Sequence, residues 1–197
     1  ICRDIPGILS IAEKIKLLAD VRGFILMAID GRAAAGKSTL SHMLEKHLAC
    51  NVFHMDDFFL PPEMKTRERL SVPGGNVYWE RFRADVLDPL KERQPFAYRP
   101  YSCKTQSLGE PVRVTPLAIN LVEGSYALHP EIAKWYDYKI FVDIPYAHQI
   151  ERILNRNGAD MLLRFQNEWI PMEEMYFQAF SVRSKCDMLI QIENLKI

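Results

Sequence analysis

Residues Gly31 to Thr39 read Gly-Arg-Ala-Ala-Ala-Gly-Lys-Ser-Thr, so Gly31, Gly36, Lys37 and Ser38 satisfy the pattern G-x-x-x-x-G-K-[ST] directly after an apolar run, Phe24 to Asp30. The spacing describes a phosphate-binding loop. Gly31 and Gly36 allow backbone angles closed to other residues, and the amides of Ala34, Ala35, Gly36, Lys37, Ser38 and Thr39 can then turn toward phosphate oxygens at the positive end of the following helix. Lys37 would reach the β- and γ-phosphates of a nucleotide such as ATP, and Ser38 would ligate Mg²⁺. Two carboxylate groups lie further along. Asp56 and Asp57 follow a second apolar run, where a carboxylate could take or orient the proton of an attacking hydroxyl and touch the water shell of a metal. The same pair could equally cap a turn. Glu123 ends a third run in Val-Glu-Gly, where it suits a Mg²⁺ or water ligand, or stands as a solvated strand-end charge.

These residues need a scaffold, and the hydrophobic pattern supplies one. Ile8, Ile11, Ile15 and Leu18 recur at helical spacing and predict a leading amphipathic helix. Strand Phe24 to Asp30, helix Ser38 to Ala49, strand Val52 to Met55 and helix Val77 to Leu90 follow. Then come strand Leu117 to Val122, helix Pro130 to Tyr136, strand Tyr138 to Ile144, helix Tyr146 to Asn157 and a last strand, Met188 to Ile192. Alternation with apolar strands predicts an α/β fold, a parallel sheet with helices on both faces and ligands at the strand C-terminal ends. Two segments fall outside this scheme: 58–76, with Pro61-Pro62 and Pro73-Gly74-Gly75, and 94–116, with four prolines and several aromatics. Loops of that length are often functional.

The 197 residues suit a single domain, 1–197, and 48% hydrophobic residues can build a sizeable core. Lys plus Arg and Asp plus Glu number 25 each, and no strongly basic run occurs, which disfavours nucleic-acid and membrane-surface partners. Cys2, Cys50, Cys103 and Cys186 form no C-x-x-C pair, and the five histidines show no zinc spacing with them. The longest apolar stretch, Phe24 to Ile29, is too short to span a bilayer, and no signal-peptide core is visible. The expectation is a cytoplasmic protein with reduced thiols and a small-molecule partner; a homo-oligomer stays open. The chain opens at Ile1 rather than methionine, which leaves room for preceding residues.

From Phe24 to about Phe180 the chain resembles the uridine kinase family of phosphate-loop kinases and its nicotinamide riboside kinase and phosphoribulokinase relatives. The resemblance rests on the loop Gly31 to Thr39, the segment Asp56 to Phe59, the Asn76 to Leu90 region, the Tyr98 region and Val122-Glu123-Gly124, in that order. It implies transfer of the γ-phosphate of ATP to a primary hydroxyl. Asp56 would be the catalytic base and Glu123 a metal-associated acid, while Lys37 and Ser38 would contact phosphate and Mg²⁺. It also implies a mobile lid over about 152–166, with Arg152, Arg156 and Arg164 as phosphate contacts; the bland alternative is a solvated basic helix face.

On the acceptor side the candidates are Asp57, Phe59, Tyr78, Glu80, Tyr98, Arg99 and Glu123, with Trp79 and Tyr101 as further rings that could stack on a flat acceptor or simply pack a loop. Here the chain departs from the family. Asn157 replaces the usual aspartate, the lid's Arg-Gly-Arg is absent, and the Tyr-Asp-Phe before a base-contacting histidine reads Tyr98-Arg99-Pro100-Tyr101, with Cys103 beyond. Only Glu80 is acidic near the ribose-binding position. A different alcohol, such as a riboside, a sugar phosphate or a pantothenate-like acid, is the alternative acceptor, and Arg99 and Lys104 would favour an acidic one. A non-catalytic nucleotide-binding regulator is a third reading, although no Asn-Lys-x-Asp guanine motif occurs.

Overall fold

In a computed structural model that describes residues 7–192, five strands form one all-parallel sheet: β1 (Ile25–Gly31), β2 (Cys50–His54), β3 (Ile119–Glu123), β4 (Tyr138–Asp143) and β5 (Met188–Gln191), in the order β2-β3-β1-β4-β5. Each parallel step needs a crossover, and helices supply them. Helices α1 (Ile8–Arg22) and α2 (Lys37–His47) cover one face. Helix α3 (residues 79–92) and the C-terminal part of α5 (residues 159–180) cover the other, and α4 (Tyr146–Asn157) precedes α5.

Strand alternation divides the core in two. Ile25, Met27 and Ile29 of β1 pack with Ile15, Leu40 and Leu44 from α1 and α2. Leu26 and Ala28 point the opposite way, toward Phe82, Val86 and Leu87 of α3 and Tyr176 of α5. With both faces covered, β1 is buried throughout, which explains its continuous apolar sequence. The predicted elements therefore appear, with ends shifted by one or two residues in most cases.

Helix α5 is the largest element that sequence patterning did not predict. It contains a wide π-helical turn at Phe165–Trp169 followed by Pro171, as α3 contains one at Arg83–Leu87 followed by Pro89. Proline lacks an N–H and its ring presses on the carbonyl four residues back, so widening the preceding turn lets each helix continue past it. Segment 58–76 folds into two short helical turns, Pro62–Met64 and Arg67–Ser71, and 94–116 into two small antiparallel ribbons that pair Phe96–Tyr98 with Val112–Val114 and Tyr101–Ser102 with Ser107–Leu108. Among the described residues, no helix is long and apolar enough to cross a membrane.

Candidate active site

The C-terminal ends of β1, β2 and β3 open into a cavity of about 1330 Å³. At the end of β1, Gly31 has φ +140°, and a Cβ there would lie 2.0 Å from the Val142 carbonyl oxygen. Only glycine permits this loop to pass so close to β4. Ala34, Gly36, Lys37, Ser38 and Thr39 line the cavity floor, whereas Ala35 is turned into the core. The first turn of α2 begins at Lys37, so its amides lack helical acceptors and face the cavity as anion-binding groups. The Lys37 ammonium donates to the carbonyls of Gly31 (2.8 Å) and Arg32 (2.9 Å), which holds the cation across the loop.

Glu123, at the end of β3, is buried, with its oxygens each 3.2 Å from Ser38 Oγ and Oε1 2.6 Å from His54 Nδ1. This contact raises the His54 pKa, against the opposing effect of burial. Gly124 follows with φ +137°, where a Cβ would press on Met55 at 2.9 Å, so the β2 and β3 ends approach closely. Asp56 stands in a short helical turn after β2 and lines the same cavity. Asp56 is open to solvent on its cavity side, but desolvation by the cleft walls pushes its carboxyl pKa up, and the Glu123 charge adds to that; Lys37, His54 and Arg156 pull it down. A carboxylate shifted toward neutrality in a cleft suits proton transfer.

Arg81, which sequence reading missed, fixes this turn from α3. Its guanidinium lies 4.2 Å over the Phe58 ring and donates to the backbone carbonyls of Asp57 and Arg99, the latter at 2.8 Å. A lone arginine on a predicted helix carries no sequence signal of that role.

Among the described residues, no group of three or more His, Cys, Asp and Glu side chains could by itself hold a metal. Ser38, Asp56 and Glu123 offer hard oxygens in one cavity, which fits Mg²⁺, an ion that keeps several waters and takes few protein ligands beside its phosphates.

Helices α4 and α5 contribute Arg152, Arg156 and Arg164 to the cavity wall. Arg152 donates to the Ala34 carbonyl at 3.3 Å, Arg156 to Asn157 Oδ1 at 2.8 Å, and Arg164 pairs with Glu168 at 3.1 Å while lying over Trp169. The acceptor candidates divide. Phe59 and Glu123 line the cavity, but Asp57, Tyr78, Glu80, Tyr98 and Arg99 do not. Glu80 receives two hydrogen bonds from Arg69, at 2.7 and 2.8 Å. Arg99 donates to the carbonyls of Gly109 and Leu108 and closes the ribbon. Tyr98 is buried and stacked on Phe58 at 5.5 Å between ring centroids; burial and the neighbouring Asp57 push its hydroxyl pKa up to about 12. Tyr78 lies under Arg81, Trp79 stacks on His129 at 5.6 Å, and Tyr101 is buried. Packing thus claims most of these aromatic and charged groups. Lys65, Asn76, Cys103, Gln106 and Tyr126 line the cavity as well, whereas Lys104 does not.

Two buried carboxylates behind the loop were also not anticipated. Asp30 is fully buried and accepts from the Gly31 and Leu128 amides and from the Tyr176 hydroxyl, at 2.7, 3.0 and 2.8 Å. Glu173 accepts from the Ala33 amide at 2.9 Å and from Gln149 at 2.7 Å. Burial raises the pKa of both. Asp30 reads only as the last residue of an apolar strand, and Glu173 falls in a stretch where the sequence pattern predicts no element, so neither carries a local signal.

No protein-family model and no curated protein sequence matches the chain. Solved structures do. A protein described as a possible uridine kinase from Bacillus stearothermophilus is similar with a TM-score of 0.64 at 18% identity, over 92% of this chain and 99% of that one. A protein proposed to be a fructose transport system kinase from Silicibacter sp. TM1040 gives a TM-score of 0.68 at 21% identity, over 90% and 97%. YFH7 of Saccharomyces cerevisiae, a proposed P-loop containing kinase with a circular permutation, gives 0.57 at 12%, over 95% and 99%. At these identities the likeness is one of fold, and it agrees with the parallel sheet and the loop at Gly31 to Thr39: the chain has the α/β fold of the P-loop NTPases.

Proposed function

We propose that the protein is an ATP- and Mg²⁺-dependent small-molecule kinase of the uridine kinase type, transferring a phosphoryl group to the hydroxyl of a small acceptor. One observation carries the reading: Lys37, Ser38, Asp56 and Glu123 come from separate parts of the chain and line a single cavity at the sheet's C-terminal edge. The loop amides and Lys37 would hold the phosphates, with Arg152 and Arg156 above them. Mg²⁺ bound with the nucleotide would offset charge on the transferring group. Asp56 would orient the acceptor hydroxyl and accept its proton, and its raised pKa gives it proton affinity for that role. Closing the lid side would exclude water from the reaction.

Uridine is the first acceptor to test. A different alcohol with an acidic group has its own support, because Lys65 presents a cation at the acceptor end while Tyr98 and Arg99 are engaged elsewhere. A coupled assay with Mg²⁺ and ATP over nucleosides, ribosides, sugars and small acids tests both. Turnover of pyrimidine nucleosides supports the first acceptor and turnover restricted to acidic alcohols the second; no turnover with any acceptor, despite nucleotide binding, would favour a regulator.

A further inference from the structure

Ala33, inside the phosphate loop, has both backbone groups tied to side chains from the lid limbs. Its N–H donates to Glu173 Oε2 at 2.9 Å, and its carbonyl accepts from Gln149 Nε2 at 3.2 Å. Gln149 Nε2 also donates to Glu173 Oε1 at 2.7 Å, which closes a triangle between α4, α5 and the loop. Both side chains are buried, yet Glu173 lines the cavity beside Ala33, Ala34 and Lys37. The grip of α5 extends along the loop: Tyr176 holds Asp30, and Glu174 pairs with Arg32. A carboxylate accepting from a phosphate-loop amide, within the field of Lys37, does what a phosphate oxygen would do there.

We propose that Glu173 is a specificity-determining residue, an internal anion that occupies the Ala33 amide and competes there with the terminal phosphate of a nucleoside triphosphate. The proposal rests on the kinase reading above, in which ATP is the donor. A diphosphate, one group shorter, leaves the contact in place. A triphosphate displaces it and so uncouples the loop from α5, the helix that carries Arg164, Phe165 and Trp169 into the cavity. The lid would thereby respond to the γ-phosphate.

Glu173→Gln removes the charge and keeps the shape. The new amide has a ready partner, since Gln149 Oε1 is buried with no hydrogen bond. The expected result, by titration calorimetry with Mg²⁺ present, is ATP binding about three- to tenfold tighter than wild type, as fits loss of one charge near the phosphates, with ADP affinity changed by less than about twofold. Glu173→Asp, which withdraws the carboxylate by one methylene, should shift the ATP-to-ADP ratio in the same direction, and it decides the matter if the first variant does not fold. A purely structural Glu173 would weaken both nucleotides together. An unchanged ratio, or one moved toward ADP, in a wild type that binds ATP overturns this inference alone. A wild type that binds neither nucleotide overturns it together with the kinase reading.

Discussion

The two ends of the cavity are built by different physics. At the phosphate end, backbone geometry does the positioning: a glycine that must pass against β4, a helix start that leaves amides unbonded, and a lysine held across the loop by two carbonyls. On the side proposed to take the acceptor, side chains from 58–76, α3 and 94–116 position one another. Arg69 holds Glu80, Arg81 holds the Asp56 turn and Arg99, and Tyr98 packs on Phe58. Backbone-built sites tolerate change around them and keep their chemistry, whereas a mesh of side chains can be rewired by a few substitutions into a different acceptor pocket. That contrast fits a chain that shares its fold with proteins at only 12–21% identity.

The comparison can be broken most directly at the phosphate end. Lys37→Ala should reduce turnover by about 10³ or more, because the site loses the cation that meets the phosphates, and it should leave the circular dichroism spectrum unchanged. Activity within about tenfold of wild type would mean that the loop is not the donor site. Next in size, Asp56→Asn should lower kcat by ~10² or more, with less effect on nucleotide affinity. Asp57→Asn should be milder, since Asp57 faces Tyr98 rather than the cavity. A reversed order would move the base by one residue.

The sequence carried the phosphate end almost whole, since G-x-x-x-x-G-K-[ST] specifies backbone conformation, and conformation there is the site. Asp56 and Glu123 were legible because each follows an apolar run, and a parallel sheet brings all strand C-termini to one edge. Tyr98 and Arg99 suggest acceptor contacts by their types and Glu80 by its place in the resemblance, but where a side chain in such a segment goes depends on partners distant in sequence. Lys65 and Gln106 carried no signal for the same reason. Asp30 and Glu173 stayed hidden because a buried carboxylate is recognisable only with its donors in view.

His129 sharpens the acceptor-side half of the contrast through stability. It is buried between Trp79 and Phe180, its Nδ1 accepts from the Glu131 amide, and burial, with the nearby Arg69, pulls its pKa down to about 4. The folded state therefore keeps it neutral where the unfolded chain, near 6.5, already binds a proton. Stability is fully present above about 6.5, falls as pH drops toward 4, and loses nothing further from this group below about 4, a total of roughly 3 kcal/mol. Urea midpoints across this window should slope in wild type and flatten in His129→Gln. Equal slopes would mean that other groups control the acid response.

The smallest effects test which residues meet the acceptor. Lys65→Ala should raise KM for the acceptor about tenfold if an anionic group is bound there, roughly the loss of one charge-assisted hydrogen bond, and should leave KM for ATP unchanged. Arg99→Ala should change either constant by less than about twofold: its guanidinium closes a ribbon at the exposed end of 94–116, and such surface contacts contribute little. Kinetics of the two variants, with acceptor and nucleotide varied separately, separate cavity residues from scaffold residues. A large acceptor KM effect at Arg99 with none at Lys65 would mean that the ribbon swings into the cavity when substrate binds, and that the acceptor end takes its working shape only in the complex.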